Sequence, residues 1–400
     1  MPPPVLIRVS GPDHPGITSA LMAILDRLDA HIEDIEQIVI RRQLTLGIVA
    51  RVDRASLAAA VHDLGTAHGV AVEIADADES PTERALGTIV TILATTIGPN
   101  QMAAIAAGVA QCGGNIDRIV RLSRYPVTSY ELDVYGAPIE TLRQVLVSVG
   151  RVHGVDLSIQ PDGLGRRSRR LVVLDVDSTL IQDEVIDLMA SEAGCAPEVA
   201  ELTARAMDGS LDFSDALTAR VALMAGLDTE ALDRVRDKVR LTPGARTFVR
   251  TLKRMGFKVA VVSGGFTFVT DALAVDLGLD HASANKLEIV DGRLTGRLSG
   301  PIVDRQRKAT ILREIAEAEG IGVDATVAVG DGANDLDMLA EAGLGIAFNA
   351  KAVVRAAADT SVSVPYLDAV LFLLGVRRSE VEAADYADGA GPDGIRVPID

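Results

Sequence analysis

The stretch Leu171-Val172-Val173-Leu174-Asp175-Val176-Asp177-Ser178-Thr179 decides the fold of the second half of the chain. Its four leading apolar residues predict a strand buried on both faces, as in a parallel sheet covered by helices. The two carboxylates that follow are spaced i and i+2, so in an extended chain they point to one side. On such a loop, one carboxylate can attack a phosphorus atom while the other handles the leaving-group proton.

Three more features follow predicted strands or open predicted helices farther along the chain. They are Ser263-Gly264-Gly265 after the apolar run 258–262, Lys308, and Gly330-Asp331-Gly332-Ala333-Asn334-Asp335 after the run 326–329. Ligands of parallel sheets bind beyond the carboxyl ends of the strands, so we expect these groups to converge. Together they supply a nucleophile, a hydroxyl with backbone amides, a cation and further carboxylates, which suits phosphoryl transfer with Mg²⁺.

Each feature alone has a plainer interpretation. Asp175 and Asp177 are compatible with a strand-end turn held by local hydrogen bonds, and Ser263-Gly264-Gly265 with a tight turn. Lys308 is compatible with a surface lysine, and Asp335 with a helix-start carboxylate favoured by the dipole. The occurrence of all four in order favours the phosphoryl-transfer site.

The segment from Leu171 onward alternates strands with helices, which predicts an α/β fold with a doubly wound parallel sheet. The helical stretch 181–240 is too long for a simple crossover and predicts a cap beside the mouth of the site. The core then comprises residues 171–180 and 241–375. Residues 376–400, rich in Asp, Gly, Ala and Pro, predict a loose tail.

The first 162 residues contain an internal repeat, with copies at 1–80 and 86–162. Each copy has the order βαββαβ, the ferredoxin-like unit. Helices on one face of such a sheet leave the other face or the edges to be covered, so we expect the copies to pair with each other or with a second chain. The connector 163–170 holds four arginines, and in an acidic chain this run favours a solvated linker over a nucleic-acid patch.

The bulk composition narrows the class of partner and compartment. The net charge of −17 argues against a nucleic-acid partner but not against a small phosphorylated substrate. Only two cysteines, Cys112 and Cys195, occur, which fits a reducing compartment. The start does not resemble a signal peptide and no apolar run reaches membrane-spanning length, so we expect a soluble cytoplasmic protein with no membrane partner.

These motifs resemble those of the haloacid dehalogenase superfamily of phosphatases. More closely, residues 171–375 resemble the phosphoserine phosphatase family, through Asp175-Val-Asp-Ser-Thr-Leu180, Val262-Ser-Gly-Gly-Phe266 and Gly330-Asp-Gly-Ala-Asn-Asp-Leu-Asp-Met338. The resemblance implies a Rossmannoid parallel sheet with a helical cap. It also implies Mg²⁺-dependent hydrolysis of O-phospho-L-serine through an aspartyl-phosphate, the final step of L-serine biosynthesis.

The same resemblance implies a role for each matching residue. Asp175 is the nucleophile and Asp177 the acid and base. The implied metal ligands are Asp175, Asp331 and the backbone carbonyl of Asp177, with Asp335 orienting metal-bound water or Lys308. The implied phosphoryl-binding groups are Ser263, the Gly264 amide and Lys308, with Asn334 beside them.

The cap is expected to recognise the rest of the substrate. Glu184 is placed to accept the ammonium group, and Arg220 can hold the carboxylate as a planar fork. Met207 and Phe213 are candidates for an apolar wall that excludes water.

The N-terminal units resemble ACT domains, which are amino-acid-sensing modules. The loop Gly11-Pro-Asp-His-Pro-Gly-Ile17 makes Asp13 and Gly16 the candidate effector residues, because a glycine and a helix start offer backbone amides to a carboxylate. The second copy, Gly98-Pro-Asn-Gln, lacks the matching Pro-Gly. The resulting hypothesis is feedback by L-serine in a homodimer, and the alternative is a purely structural dimerisation unit.

Two other functions remain open at this stage. One is a related phosphatase for another small phosphomonoester or a phosphoprotein, such as phosphothreonine or a protein phosphoserine. The other is a non-enzymatic amino-acid sensor with a degenerate phosphatase fold, against which the intact motifs count.

Overall fold

The computed structural model describes residues 2–78, 87–207 and 210–387, with the side chain of Met207 left out. The chain divides into two compact units, residues 1–84 and 85–400, each of which is described by itself.

The first unit is a four-stranded antiparallel sheet covered by two helices. Its strand order is β2-β3-β1-β4, as the predicted βαββαβ unit requires. Alternate residues of the third strand, from Leu44 to Ala50, are buried against the helices. The elements are β1 (Pro4–Pro12), α1 (Ile17–Arg27), β2 (His31–Ile40), β3 (Gln43–Arg51), α2 (Arg54–His68) and β4 (Ala71–Asp76).

Strand β2 departs from this pattern because all ten of its residues are exposed. Ile35, Ile38 and Ile40 are among its open apolar side chains. As an edge strand it pairs on one side only, with β3. It therefore presents unpaired backbone groups together with apolar surface.

The second unit begins with another βαββαβ fold, whose antiparallel strand order is β6-β7-β5-β8. Here β5 is buried at all seven residues. Leu93, Leu122 and Val127 belong to the same apolar cluster as the catalytic core, so this sheet packs on that core. The elements are β5 (Thr88–Ala94), α3 (Pro99–Gln111), β6 (Asn115–Ser123), β7 (Thr128–Tyr135), α4 (Ile139–His153) and β8 (Asp156–Pro161).

The connector 163–170 is only partly the solvated linker that its four arginines predicted, because Arg167 and Arg170 are exposed but the other two arginines have partners. It contains a short helix, α5 (Leu164–Arg167), and one of its arginines, Arg169, is buried. Arg166 pairs with Glu131, and Arg169 donates to Gln160 Oε1 at 2.6 Å. The packed sheet encloses these guanidinium groups, which the sequence pattern alone could not reveal.

The core of the second unit is a seven-stranded sheet in the order β12-β11-β10-β9-β13-β14-β15. All pairings are parallel except that of β12 with β11. The predicted α/β class is confirmed, whereas β15 and the parallel part of β11 were not predicted. The strands are β9 (Leu171–Leu174), β10 (Lys258–Phe266), β11 (His281–Val290), β12 (Arg293–Ser299), β13 (Thr326–Gly330), β14 (Leu344–Phe348) and β15 (Thr360–Val362).

Strand β9 lies at the centre and is covered on both faces, as its apolar run predicted. Val172 and Leu174 pack into one apolar cluster, and Leu171 and Val173 into the other. The covering helices are α10 (Ala245–Arg254), α11 (Thr267–Leu277), α12 (Arg305–Ala318), α13 (Leu336–Glu341), α14 (Ala352–Ala357) and α15 (Val370–Leu373).

In the described residues between Ile181 and Leu241, four helices form a segment that leaves the core. An antiparallel bridge joins Ile181 to Leu241, so the chain leaves the core and returns to it at one point. The helices are α6 (Val185–Ala193), α7 (Ala196–Met207), α8 (Phe213–Ala222) and α9 (Thr229–Lys238). None of the helices in the described ranges is long and apolar enough to cross a membrane.

The expected loose tail is wrong for residues 378–387, which form α16 (Arg378–Ala387). Val381 is buried, and the Asp385 carboxylate accepts from Arg250 Nη2 at 2.6 Å and also pairs with Arg254. These contacts join the helix to α10, a partner that lies far away in sequence. Residues 388–400 of the expected tail lie outside the described residues.

We predict that Asp385→Ala lowers the free energy of unfolding by about 1–3 kcal/mol, because two arginines lose a carboxylate that is 6% exposed. Burial alone would raise the pKa of Asp385, but the two arginines hold it below its ordinary value. The loss of stability caused by Asp385→Ala should therefore be complete above the ordinary carboxyl pKa. It should vanish as the pH falls through the lowered pKa of Asp385. Thermal melts test this, with the exposed Glu382→Ala on the same helix as control.

Candidate active site

A buried lysine between two buried carboxylates forms the centre of the site. Lys308 Nζ lies 2.6 Å from Asp175 Oδ1 and 2.7 Å from Asp335 Oδ1. Burial alone would lower the pKa of Lys308, but the two carboxylates raise it above its ordinary value. Burial and then Asp335 raise the pKa of Asp175, while Lys308 opposes them. The structure thus brings together the first, third and fourth sequence motifs, as predicted.

The loop after β9 turns sharply and aims its side chains at this centre. The Asp175 amide still donates to Val329 O at 2.9 Å, so this residue remains anchored in the sheet. Ser178 has a left-handed backbone, φ 58°, which is costly for a residue other than glycine. The Thr179 hydroxyl donates to Asp331 Oδ1 at 3.3 Å, and Thr242 Oγ1 donates to Thr179 O at 2.7 Å.

Sequence reasoning missed these two threonines as supports of the loop. Thr179 stands inside the first motif, so its position was a usable signal. Thr242 carries no motif and adjoins Leu241, where the helical segment rejoins the core.

Asp177 is held in an environment that keeps its proton. Burial, followed by the charge of Glu184, raises the pKa of Asp177 to about 8. Within the described residues, its buried Oδ1 atom accepts no hydrogen bond. Its carboxyl group lies against Gly265, where an added Cβ would approach Oδ2 to 3.2 Å. A protonated carboxyl group with a free oxygen can donate its proton to a leaving group and later accept a proton from water.

Three carboxylates form a candidate metal site. Oxygen atoms of Asp175, Asp331 and Asp335 all lie within 4.8 Å of one another. Burial and the neighbouring Asp335 raise the pKa of Asp331 to about 7, which reflects crowded negative charge. A divalent cation would relieve this crowding, and all-oxygen donors suit Mg²⁺. This set of side chains contains Asp335. The family resemblance instead implied the backbone carbonyl of Asp177 as the third metal ligand, with Asp335 in a supporting role.

The second motif forms a bulged loop at the end of β10. Ser263 is buried, and its Oγ accepts from the Gly265 amide at 2.8 Å. Asn285 Nδ2 donates to Gly264 O at 2.8 Å, and Asn285 Oδ1 accepts from the Val303 amide at 2.8 Å. Asn285 was not predicted as a site residue, because it belongs to no motif that links it to this loop.

Two of the predicted cap residues face the loops of the core. The Phe213 ring lies against Gly264, where an added Cβ would come within 3.2 Å of it. Glu184 precedes α6 and accepts from Ser178 Oγ at 2.7 Å. The left-handed turn of Ser178 therefore sets the position of a carboxylate beside the catalytic loop.

Arg220 lies inside the cap and is only 8% exposed. Its Nη1 lies 3.2 Å from Thr203 Oγ1, and its Nε donates to Ala216 O at 3.3 Å. Burial lowers the pKa of Arg220, and the charges of Asp187 and Glu184 oppose that shift. Met207 ends α7, and since its side chain lies outside the described residues, its role stays a prediction.

Asn334 lies in the short turn that leads to Asp335 and is half-buried. The turn is closed by the Gly332 amide, which donates to Asp335 Oδ2 at 3.0 Å. Asn334 thus lies next to the Lys308 pair, as the motif predicted, and its contact with a phosphoryl group stays a prediction.

The predicted effector residues line a separate cavity in the first unit, of about 310 Å³. Gly16 has φ 105°, a conformation that favours glycine, and directly precedes α1. Asp13 and His14 lie on the same wall, and Gln37 of β2 faces them. His14 Nε2 lies 3.0 Å from His68 O, which attaches this loop to α2.

We predict that Lys308→Met lowers the free energy of unfolding in EDTA by about 3–5 kcal/mol, because two buried carboxylates lose their cation. The loss should shrink when Asp175→Asn is combined with it, since one of those charges is then gone. Urea and thermal melts measure both effects. The exposed Lys351→Met is the matched control, and an equal effect there would contradict the prediction.

Comparisons with known proteins match this geometry. Residues 172–340 match the family model of the haloacid dehalogenase-like hydrolases, and residues 4–75 and 87–160 each match an ACT domain model. The chain is 54% identical over 395 residues to a phosphoserine phosphatase of Streptomyces coelicolor, covering 97% of this chain and 96% of that one. It is 48% identical over 404 residues to a phosphoserine phosphatase of Mycobacterium tuberculosis, covering 99% and 98%.

Solved structures show the same fold. A haloacid dehalogenase family hydrolase from Salmonella enterica serovar Typhi is 29% identical with a TM-score of 0.63, over 72% of this chain and 98% of that one. A probable phosphoserine phosphatase from Vibrio cholerae is 35% identical with a TM-score of 0.57, over 76% and 89%.

Proposed function

Since the chain belongs to the phosphoserine phosphatase family, among the haloacid dehalogenase-like hydrolases, and carries two ACT domains, we propose that it hydrolyses O-phospho-L-serine to L-serine and phosphate with Mg²⁺. This reaction completes L-serine biosynthesis, and we place it in the cytoplasm. The observation that carries the proposal is the buried Asp175–Lys308–Asp335 cluster beside a carboxyl group, Asp177, with a raised pKa.

In the first half-reaction, an Asp175 oxygen forms a bond to phosphorus as the bond from phosphorus to the serine oxygen breaks. Asp177, whose pKa is about 8, gives its proton to that departing oxygen. Lys308 stays 2.6 Å from Asp175 and supplies positive charge as negative charge moves onto the phosphoryl group. The products are L-serine and an aspartyl-phosphate.

In the second half-reaction, water attacks phosphorus and the bond to Asp175 breaks. The Asp177 carboxylate accepts a proton from the water, which restores the starting enzyme and releases phosphate. The unpartnered Asp177 Oδ1 is the atom suited to both transfers.

Bound Mg²⁺ would neutralise negative charge on the phosphoryl group and orient it for in-line attack. Oxygens of Asp175, Asp331 and Asp335 lie close enough together to hold it. The Thr179 hydroxyl, 3.3 Å from Asp331, would fix the direction of that carboxylate. Ser263 and the Gly264 amide would hold the phosphoryl oxygens from the opposite loop.

Recognition of the amino acid is assigned to the cap. Glu184 lies near Asp177 and Asp331, whose pKa values its charge raises, and its carboxylate would pair with the substrate ammonium. Arg220 is buried, with the charges of Asp187 and Glu184 acting on it, and its guanidinium would pair with the substrate carboxylate. Phe213 covers Gly264 and would keep water from the reacting phosphorus.

The test is phosphate release from both enantiomers of phosphoserine, phosphothreonine and p-nitrophenyl phosphate, with Mg²⁺ and with EDTA. We expect a kcat/KM preference for O-phospho-L-serine that EDTA abolishes. Asp175→Asn should lose turnover almost entirely while its thermal melt remains cooperative.

Broad hydrolysis without that preference would keep the chemistry and point to another phosphomonoester or a phosphoprotein. An absence of turnover in the wild type would favour the non-enzymatic sensor.

We also propose that L-serine binds the first ACT domain and that the protein is a homodimer. The cavity beside Asp13 and Gly16 is large enough for an amino acid, and the start of α1 offers backbone amides to its carboxylate. The exposed apolar strand β2 supports pairing with a second copy.

We predict that L-serine at 100 times its Kd stabilises the first unit by about 2.7 kcal/mol and raises its Tm. Because serine is also the reaction product, the measurement uses the Arg220→Ala background, which weakens binding in the cap. Asp13→Ala should abolish the shift, whereas the exposed Asp63→Ala should preserve it. A Tm shift that survives Asp13→Ala would indicate that L-serine binds at another site. No Tm shift at all would favour a purely structural dimerisation unit.

A further inference from the structure

We infer that Asn285 is a positioning residue that fixes the Gly264 amide for the phosphoryl group, an assignment that rests on the proposed function. The register between β10 and β11 shows why such a residue is needed. Val262 pairs with Ser283 and Phe266 pairs with Asn285, so three residues of β10 stand opposite one residue of β11. The loop 263–265 therefore bulges out of the sheet and loses its regular ladder hydrogen bonds.

The Asn285 side chain replaces those bonds. It is 2% exposed, and both of its polar atoms are occupied by backbone groups at 2.8 Å. The Val303 amide can only donate and the Gly264 carbonyl can only accept. The partners therefore determine which end of the amide is oxygen and which is nitrogen.

Gly264 needs this support because adjacent glycines have the most permissive backbone. A side chain cannot supply rigidity at Gly264, since an added Cβ would lie 3.2 Å from the Phe213 ring. Instead, the peptide group between Gly264 and Gly265 is held at both ends. Its carbonyl accepts from Asn285, and its N–H donates to Ser263 Oγ. With that peptide fixed, the preceding Gly264 N–H retains a defined direction.

The other end of Asn285 reaches the segment that positions the catalytic lysine. Val303 directly precedes Asp304, which caps α12 by accepting from the Arg307 amide at 2.8 Å. The Lys308 amide in turn donates to Asp304 O at 2.9 Å. One side chain thus joins the loop of Ser263 and Gly264 to the helix of Lys308, so the two sets of phosphoryl-binding groups share a common support.

A plainer explanation is that Asn285 only satisfies two buried backbone groups and so contributes to stability. The two explanations differ in what they predict for phosphate affinity. Positioning acts on every ligand that carries a phosphoryl group, whether or not it carries an amino acid. A purely structural role lowers Tm and leaves the affinity of the folded enzyme unchanged.

The test measures the inhibition constant of inorganic phosphate and kcat/KM for O-phospho-L-serine and p-nitrophenyl phosphate, with Mg²⁺ and well below Tm. For Asn285→Ala we expect kcat/KM to fall by about 10²-fold for both substrates, and the phosphate constant to rise about 10-fold or more, because small misplacements of catalytic groups have such effects. The ratio between the two substrates should stay within threefold of wild type, because the cap is untouched.

The matched control is Gln160→Ala. Gln160 is also a buried amide, with hydrogen bonds to Arg169, Ser158 and Leu373 O, but it belongs to β8 and contacts none of the phosphoryl-binding residues. Its Tm should fall while its kinetics remain near wild type. Should Asn285→Ala not fold, Asn285→Asp keeps the volume and the acceptor for Val303 while turning an oxygen toward Gly264 O.

Kinetic constants for the Asn285 variants within threefold of those for Gln160→Ala would overturn the inference. A wild type that hydrolyses p-nitrophenyl phosphate but shows no preference for phosphoserine would instead overturn the proposed substrate. In that case kcat/KM for p-nitrophenyl phosphate and the inhibition constant of inorganic phosphate still test the role of Asn285.

Discussion

The structure depends most on a single charge balance: one buried lysine must offset two buried carboxylates. Removing Lys308, Asp175 and Asp335 from water is costly, and the cost is met only by short, well-directed contacts. Those contacts require that the ends of β9 and β13 be adjacent and that α12 approach them from the side. The parallel order of the sheet provides this arrangement, and Asp175 remains hydrogen-bonded to Val329 at the strand end.

Precise placement of the catalytic groups comes from backbone contacts made by uncharged side chains. Thr242 holds the carbonyl of Thr179, and Asn285 holds the carbonyl of Gly264. Loops that approach a ligand closely need small residues, and small residues leave the backbone free to move. Hydrogen bonds from the surrounding elements remove that freedom without adding bulk inside the site.

The motifs made the sheet and the convergence of Asp175, Lys308 and Asp335 predictable from sequence, because each motif is local and lies at a strand end or a helix start. Asn285, Thr242 and Arg169 could not be found in this way, since their partners are distant along the chain. The buried Arg169 and the pairing of Asp385 also explain why the solvated linker was only partly correct and why the loose tail was wrong for residues 378–387. Local composition predicted solvent exposure in both segments, and tertiary contacts with β8 and α10 overrode it.

The two ACT repeats share one topology but differ in what their sheets contact. Strand β5 of the second repeat is wholly buried, because its sheet packs on the core through Leu93. Asp156 of β8 accepts from the Ser363 amide at 2.6 Å, and farther along that segment the Leu367 amide donates to Pro243 O at 2.8 Å, beside Thr242.

The second repeat is therefore linked, through the Asp156 side chain and the segment from Ser363 to Leu367, to the backbone beside Thr242. Allosteric control requires an effector to bind two states of such an element with different affinity. The second repeat is packed on the core that holds the site, whereas the exposed β2 and the cavity at Gly16 are features of the first repeat by itself.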